Sequence, residues 1–322
     1  MAQIIANNLV KEYQVPDRDP GIRGAAKALF HPKYKKITAI DNVSFSIEKG
    51  EIVGYIGPNG AGKSTTLKIL SGILYPTSGN VTVNGLLPYK ERKHNAKQIG
   101  VVFGNRSQLY WDLPVIDSYQ LTRRLYDIPD TVYYDNLEYF SDIFDLHEII
   151  NQPVRLLSLG QKMRATIACA MLHSPEILFL DEPTIGLDVM SKLKIRDFIK
   201  QINQRNQTTV ILTSHDMGDI ESLCERIILI DEGKKKYDGS VQEFESTLGG
   251  NYSISFKTTD TKPLQLPTSL SLQKNNAPFY IVTGNEKRIH LSEALSSINQ
   301  CNIEELEIKS QTLEEIINEY FG

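Results

Sequence analysis

Short, uniformly apolar runs alternate with amphipathic stretches along the first three quarters of the chain. Ile52-Val53-Gly54-Tyr55-Ile56, Ile99-Gly100-Val101-Val102-Phe103, Ile177-Leu178-Phe179-Leu180 and Thr209-Val210-Ile211-Leu212-Thr213 are bounded by glycine, proline or charge. Runs of this length and character suit strands buried on both faces of a parallel sheet. Residues 51–56, 99–103, 176–181 and 208–213 are therefore read as central strands, with further strands over 1–13 and 38–47. A helical run continues from Gly62 through Leu67 and Leu70, and 115–160 reads as mostly helical. From Gln161 another helix places Met163, Ile167 and Met171 on one face. Asp231-Glu232-Gly233-Lys234 reads as a hairpin turn.

Leu248-Gly249-Gly250 breaks the pattern and marks a boundary between a domain over 1–248 and an α+β module over 251–322. In the module, 252–256, 279–282, 288–291 and 306–308 read as strands, and a helix runs from Ser292 to about Ile298. Thr312-Leu313-Glu314-Glu315 forms a capping box for a last helix with Leu313, Ile316, Ile317 and Tyr320. The expected fold class is α/β with this smaller module attached.

Composition narrows the picture without changing it. A chain of 322 residues holds one large and one small unit. Its net charge of −4 gives no support to nucleic-acid binding. The three cysteines, Cys169, Cys224 and Cys301, are odd in number and widely spaced, which implies neither a disulfide framework nor a zinc site and fits a reduced, cytoplasmic compartment. No run approaches the length of a membrane span, and the N-terminus lacks the basic-then-apolar order of a signal peptide.

The candidate chemistry lies at the ends of the predicted strands. Gly57-Pro58-Asn59-Gly60-Ala61-Gly62-Lys63-Ser64-Thr65 fits the P-loop pattern and stands between a strand and a helix. Its glycines let backbone N–H groups close on a phosphate chain, and the helix start adds further N–H groups. Lys63 is placed to meet β- and γ-phosphates and the Ser64 hydroxyl to hold magnesium. The apolar strand 177–180 ends in Asp181-Glu182, at the edge where ligands bind in open α/β sheets. Asp181 is the candidate to hold magnesium through water, and Glu182 the candidate to polarise an attacking water. His215 ends the next apolar strand.

Together GPNGAGKST, LSLGQ (Leu157 to Gln161), LFLDEP, GLD (Gly186 to Asp188) and His215 resemble, in order and spacing, the nucleotide-binding subunits of ABC transporters over about residues 1–245. LSLGQ resembles the family signature LSGGQ, with Leu159 in place of the first glycine. The resemblance implies a P-loop NTPase core with an antiparallel β subdomain and a helical subdomain carrying the signature. It also implies that two copies stack head to tail, with ATP and magnesium between the P-loop of one and the signature of the other. Ser158, Leu159, Gly160 and Gln161 would then face the partner's ATP, Asp188 would cross the interface, and His215 would contact the γ-phosphate. Tyr13 matches the aromatic on which the family stacks adenine; a tyrosine capping its strand is the alternative. The family's magnesium-linking glutamine follows the strand at 99–103, and here Asn105 or Gln108 could fill that role.

Two segments extend the resemblance. Residues 14–38 form an unusually long insert punctuated by Pro16, Pro20 and Pro32. It carries Arg18, Arg23, Lys27, Lys33, Lys35 and Lys36, and GIRGAAKALF within it could form a short helix. It is either a solvated hairpin tip or a contact for a membrane surface or permease loop, where each basic residue contributes about 1 kcal/mol beside anionic headgroups. Tyr110, Trp111 and Leu113 follow the glutamine region, where the family forms a groove for a permease helix; a core aromatic is the alternative. The resemblance implies an ATP-hydrolysing motor subunit of an exporter, peripheral to the inner face of the cell membrane through one or two separate permease subunits. An importer motor and a non-transport ATPase of chromosomes, repair or ribosomes are the alternatives. The transported substrate is not written in the chain.

Overall fold

In the computed structural model, residues 2–17, 34–104, 107–258, 266–276, 278–299 and 302–321 are described. The chain divides into two compact units, Met1–Gly239 and Ser240–Gly322.

The first unit opens with two long strands, β1 (Ala2–Pro16) and β2 (Tyr34–Glu48), paired antiparallel from Ala2 with Glu48 to Pro16 with Tyr34. After them come β3 (Ile52–Ile56), α1 (Lys63–Leu70) and β4 (Ser78–Val83), and β4 joins the other side of β1 to give the order β2-β1-β4. Alternation explains how this sheet packs: Ile4, Ala6, Ile40, Val43, Phe45 and Ile47 are buried, while their neighbours along the strands are more open.

The chain then runs through α2 (Arg92–Gln98), β5 (Ile99–Phe103), α3 (Val115–Leu125), α4 (Asp130–Phe144), α5 (Leu159–Met171) and β6 (Ile177–Asp181). Next are α6 (Val189–Asn206), β7 (Thr209–Thr213), α7 (Met217–Leu223), β8 (Arg226–Asp231) and β9 (Lys234–Ser240). The second sheet has the order β5-β6-β7-β3-β8-β9 and is parallel from β5 through β8. Ile177 to Leu180 and Val210 to Leu212 have no exposed area, as strands covered on both faces require. At roughly 1.5–3 kcal/mol for each large side chain removed from water, these strands anchor the unit. Residues of both sheets, with Leu67, Ile69 and Leu70 of α1, share one core. Glu232 and Gly233 take positive φ between β8 and β9, at the expected hairpin turn.

Because β3, β6 and β7 are parallel neighbours, their C-terminal ends open on one edge. Asp181 pairs with Thr213 across β6 and β7, and Phe103 pairs with Asp181 across β5 and β6. Three segments far apart in sequence are therefore brought side by side.

The second unit contains α8 (Val241–Leu248), β10 (Asn251–Thr258), β11 (Ser271–Asn276), β12 (Phe279–Asn285), α9 (Leu291–Ile298), β13 (Ile303–Ser310) and α10 (Leu313–Phe321). Its antiparallel sheet has the order β11-β12-β10-β13. Tyr252, Ile254, Phe256, Tyr280 and Val282 pack against Ala294 and Ile298 of α9.

The strand expected at 288–291 is not formed. The carbonyl of Asn285 accepts from the N–H groups of Arg288 and Ile289, and its side chain accepts from Lys287. This asparagine-based turn uses the donors that a ladder would need, and Leu291 already belongs to α9. The fourth strand is instead β11, in which Leu272 is the sole apolar residue and is itself exposed. Arg18, Arg23, Lys27, Lys33 and the expected helix GIRGAAKALF lie outside the described residues; Lys35 and Lys36 lie on β2.

Candidate functional site

The turn from β3 into α1 has no room for side chains at two glycines. A Cβ on Gly57 would stand 1.9 Å from the carbonyl oxygen of Ile230. Gly62, the N-cap of α1, has φ +104, and a Cβ there would meet the Ala39 carbonyl oxygen at 2.3 Å. Ala would have to displace backbone at either position. Beyond Gly62 the N–H groups of the first helical turn lack intrahelical acceptors, which makes this end a site for anions. Thr66 pins the helix start, with its hydroxyl 3.1 Å from the Tyr55 hydroxyl and 3.2 Å from the Gly62 carbonyl.

Lys63 is buried, and its Nζ donates to the carbonyls of Gly57 at 2.7 Å and Pro58 at 3.0 Å. Burial pulls its ammonium below the ordinary lysine value, while the charges of Glu182 and Asp181 oppose that pull. The lysine and both carboxylates thus share one electrostatic neighbourhood. Ser64 follows on the same turn, half-buried.

At the end of β6, an Asp181 oxygen accepts from the Thr213 hydroxyl at 2.7 Å. The Glu182 N–H donates to the Thr213 carbonyl at 3.0 Å, with the Thr213 hydroxyl at 3.1 Å. Glu182 has φ +56, a left-handed conformation that a non-glycine residue adopts at a cost and that concentrates at functional sites. His215 Nε2 is 2.9 Å from Glu182 Oε1. The two side chains border a cleft of about 250 Å³, whose wall includes Thr184, Gly186, Ser214 and Asp216. A serine hydroxyl and a carboxylate are hard oxygen donors, and Ser64 with Asp181 fits magnesium, which keeps waters and takes nucleotide oxygens as its other ligands.

The LSLGQ segment forms the N-terminal end of α5. Ser158 is the N-cap of α5, its side chain accepting from the Gln161 N–H at 3.2 Å while its own N–H donates to Gln161 Oε1 at 2.9 Å. The helix therefore starts before Gln161, and S-x-x-Q is the capping-box pattern that signals it in the sequence. A Cβ on Gly160 would meet Ser191 Oγ at 2.4 Å, so Gly160 packs against the start of α6. Asp188 caps α6, accepting from the Ser191 N–H at 2.9 Å and hydroxyl at 2.7 Å, and these bonds hold its carboxyl below the ordinary range. Leu159 is exposed beside Gly186. The Arg164 guanidinium donates to the Phe144 carbonyl and reaches Asp145, clamping α5 to the end of α4. Lys162 instead lies 4.6 Å over the Trp111 ring.

Gln108 folds back so that its amide donates to the Val101 carbonyl of β5. Asn105 lies outside the described residues. Tyr13 is half-buried near the end of β1, with Lys11 Nζ 5.2 Å from its ring. Tyr110, Trp111 and Leu113 are all exposed, Trp111 by 57%, so the core-aromatic alternative does not hold. Two groups escaped the sequence reading. Thr213 holds both carboxylate positions from the neighbouring strand, and the buried Asp219 lies beneath the His215 loop. Neither belongs to a local pattern.

The chain resembles known proteins over most of its length. Residues 40–185 match the family model described as ABC transporter. The chain is 36% identical over 213 residues to the ABC transporter ATP-binding protein NatA of Bacillus subtilis, covering 66% of this chain and 86% of the relative. It is 33% identical over 276 residues to the linearmycin resistance ATP-binding protein LnrL of the same organism, covering 86% and 81%. Among solved structures, a dimeric post-hydrolysis ATP-binding cassette, MJ0796 bound to ADP and Pi, aligns with a TM-score of 0.60 and 27% identity over 74% of this chain and 98% of that one.

Proposed function

Because this chain belongs to the ATP-binding proteins of ABC transporters, we propose that it is the ATP-hydrolysing motor of an exporter, working as a head-to-tail pair on separate permease subunits. The observation that carries the hydrolytic reading is the Glu182–His215 contact of 2.9 Å, beside Lys63, at the shared edge of β3, β6 and β7. The export direction is supported by the likeness to a linearmycin resistance ATP-binding protein, which aligns with 86% of the chain. The paired arrangement is supported by the dimeric state of the aligned MJ0796 cassette. Among the described residues no helix is long and apolar enough to cross a membrane, so the spans would come from permeases, with this subunit on the inner face.

In this reading the N–H groups between Gly60 and Thr65 and the Lys63 ammonium hold the phosphates, and Tyr13 offers its ring to adenine. Ser64 would hold magnesium directly and Asp181 through water, and Gln108 or Asn105 would link that position to the permease. The ion would supply charge neutralisation at the phosphate oxygens. Glu182 takes a proton from the attacking water, and His215 orients Glu182 and meets the γ-phosphate. Catalysis is mainly positioning and charge. Ser158 and Gly160 complete the partner's site, and Asp188 crosses to it.

Glu182→Gln tests the chemistry. The amide keeps shape and loses basicity, so turnover should fall by about 10²–10⁴-fold while ATP affinity is kept. Wild-type turnover in this variant would overturn the assignment.

A further inference from the structure

Asp219 is a carboxylate with no exposed area, one turn into the segment that follows His215. Its Oδ1 accepts from Arg196, at 2.7 Å from Nε and 2.6 Å from a terminal guanidinium nitrogen. Its Oδ2 accepts from the Ser214 hydroxyl at 2.8 Å and from the Thr184 hydroxyl. Both hydroxyl residues are buried too. Thr184 is two positions beyond Glu182, and Ser214 immediately precedes His215. The Ser214 oxygen also accepts from the Asp216 N–H at 3.0 Å, which closes the backbone around His215.

One carboxylate oxygen thus joins the loop after β6 to the loop after β7. The Glu182–His215 contact spans the same two loops on the side facing the cleft. We propose that Asp219 is a positioning residue for this pair, with Thr184 and Ser214 as its two arms. Arg196 neutralises the buried charge, so that both hydroxyls are held by a fixed acceptor. Burying an ion pair is weak evidence for a stabilising role, because an apolar replacement often serves stability as well. Two hydroxyls converging on one oxygen from the two loops that carry the reacting groups instead specify a geometry. Losing an ångström of such alignment costs as much as about a hundredfold in rate.

The inference rests on the hydrolytic reading of Glu182, and the test separates the two. Asp219→Ala would strand the Arg196 charge and risk unfolding, so the arms are tested in the full chain. Thr184→Val keeps shape and removes the hydroxyl; Thr184→Ser keeps the hydroxyl and removes the methyl. Thr184→Val should lower kcat for ATP at least tenfold while the Kd for ATP stays within about twofold, because the phosphate loop is untouched. Thr184→Ser should return kcat to within about twofold of wild type. A packing role predicts the reverse order. Ser214→Ala should also lower kcat, and it replaces Thr184→Val if that variant does not fold. Wild-type kcat in the hydroxyl-deleted variant, a serine variant no better than valine, or a parallel loss of ATP affinity would overturn the proposal. Glu182→Gln is assayed alongside: its loss of turnover combined with full activity of Thr184→Val defeats this inference alone, whereas wild-type turnover in Glu182→Gln defeats the hydrolytic reading itself.

Discussion

The edge formed by β6 and β7 and the N-terminal end of α5 hold the two groups of proposed site residues, and the fold finishes them differently. At the edge, polar side chains find partners inside the chain: Asp181 on Thr213, Glu182 on His215, Ser214 and Thr184 on Asp219. At α5, Ser158 and Leu159 are exposed, and the helix end is closed by its own capping box. A cap satisfies part of the first turn and leaves other N–H groups for an outside acceptor. In the proposed pair, the edge would be completed within each subunit, whereas the α5 end would meet the other copy.

The largest effects should come from attacking each half in turn. Lys63→Ala removes the charge proposed to meet phosphate, and ATP affinity should fall by about 10–100-fold in a binding titration. Ser158→Arg should leave that affinity intact and abolish hydrolysis, because it would block the surface proposed to face a partner. Mixing the two inactive variants should restore activity, up to about a quarter of the sites, since one site of each mixed pair would have a sound P-loop and a sound signature. No recovery on mixing would break the division between inward and outward halves.

An intermediate effect separates the two ends of α5. Just beyond its C-terminal end, His173 is largely buried, stacked on Tyr126 at 4.2 Å, with Nε2 3.0 Å from the Ile99 carbonyl. Burial pushes its pKa down from 6.5 to about 4, although the backbone bonds favour the charged form. Between these values the unfolded chain binds the extra proton, so stability rises with pH through that window and is lost as pH falls. Denaturant midpoints should show roughly 2 kcal/mol less stability at pH 5 than at pH 7, and His173→Asn should remove most of that slope. An unchanged slope would mean that the docked end of α5 is not the acid-sensitive one.

Trp111→Ala should have the smallest effect on stability. The ring is exposed and meets Lys162 of the signature helix, an interaction of about 0.5–1 kcal/mol at such a site. The melting temperature should therefore change by only a few degrees, with ATP affinity unchanged. If this surface receives a permease, capture of the membrane partner or coupling of hydrolysis to transport should fall instead. A loss of several kcal/mol would show that the outward region is structurally bound after all.

Local patterns carried much of this architecture. The P-loop and the apolar strands ending at Asp181 and near His215 depend on spacings of a few residues, which the sequence displays directly. The S-x-x-Q cap at Ser158 is as local, but a sequence reading that begins the helix at Gln161 passes over it. Residues 288–291 misled because Ile289 and Leu291 alternate as in a strand, while the Asn285 turn takes up the backbone donors. Edge strand β11 stayed hidden because it buries almost nothing apolar.

By itself, then, the sequence determined which groups are proposed to bind phosphate, hold a metal ion and handle a proton, because those identities and their flanking elements are local. Only the tertiary structure decided which of them meet. The parallel order β6-β7-β3 sets Glu182 against His215 and both acids near Lys63. The same order lets Thr213 and Asp219 act on residues 31 to 35 positions away. Such pairings depend on strand register and on where a buried charge can find its partners, and neither quantity is fixed by near neighbours along the chain.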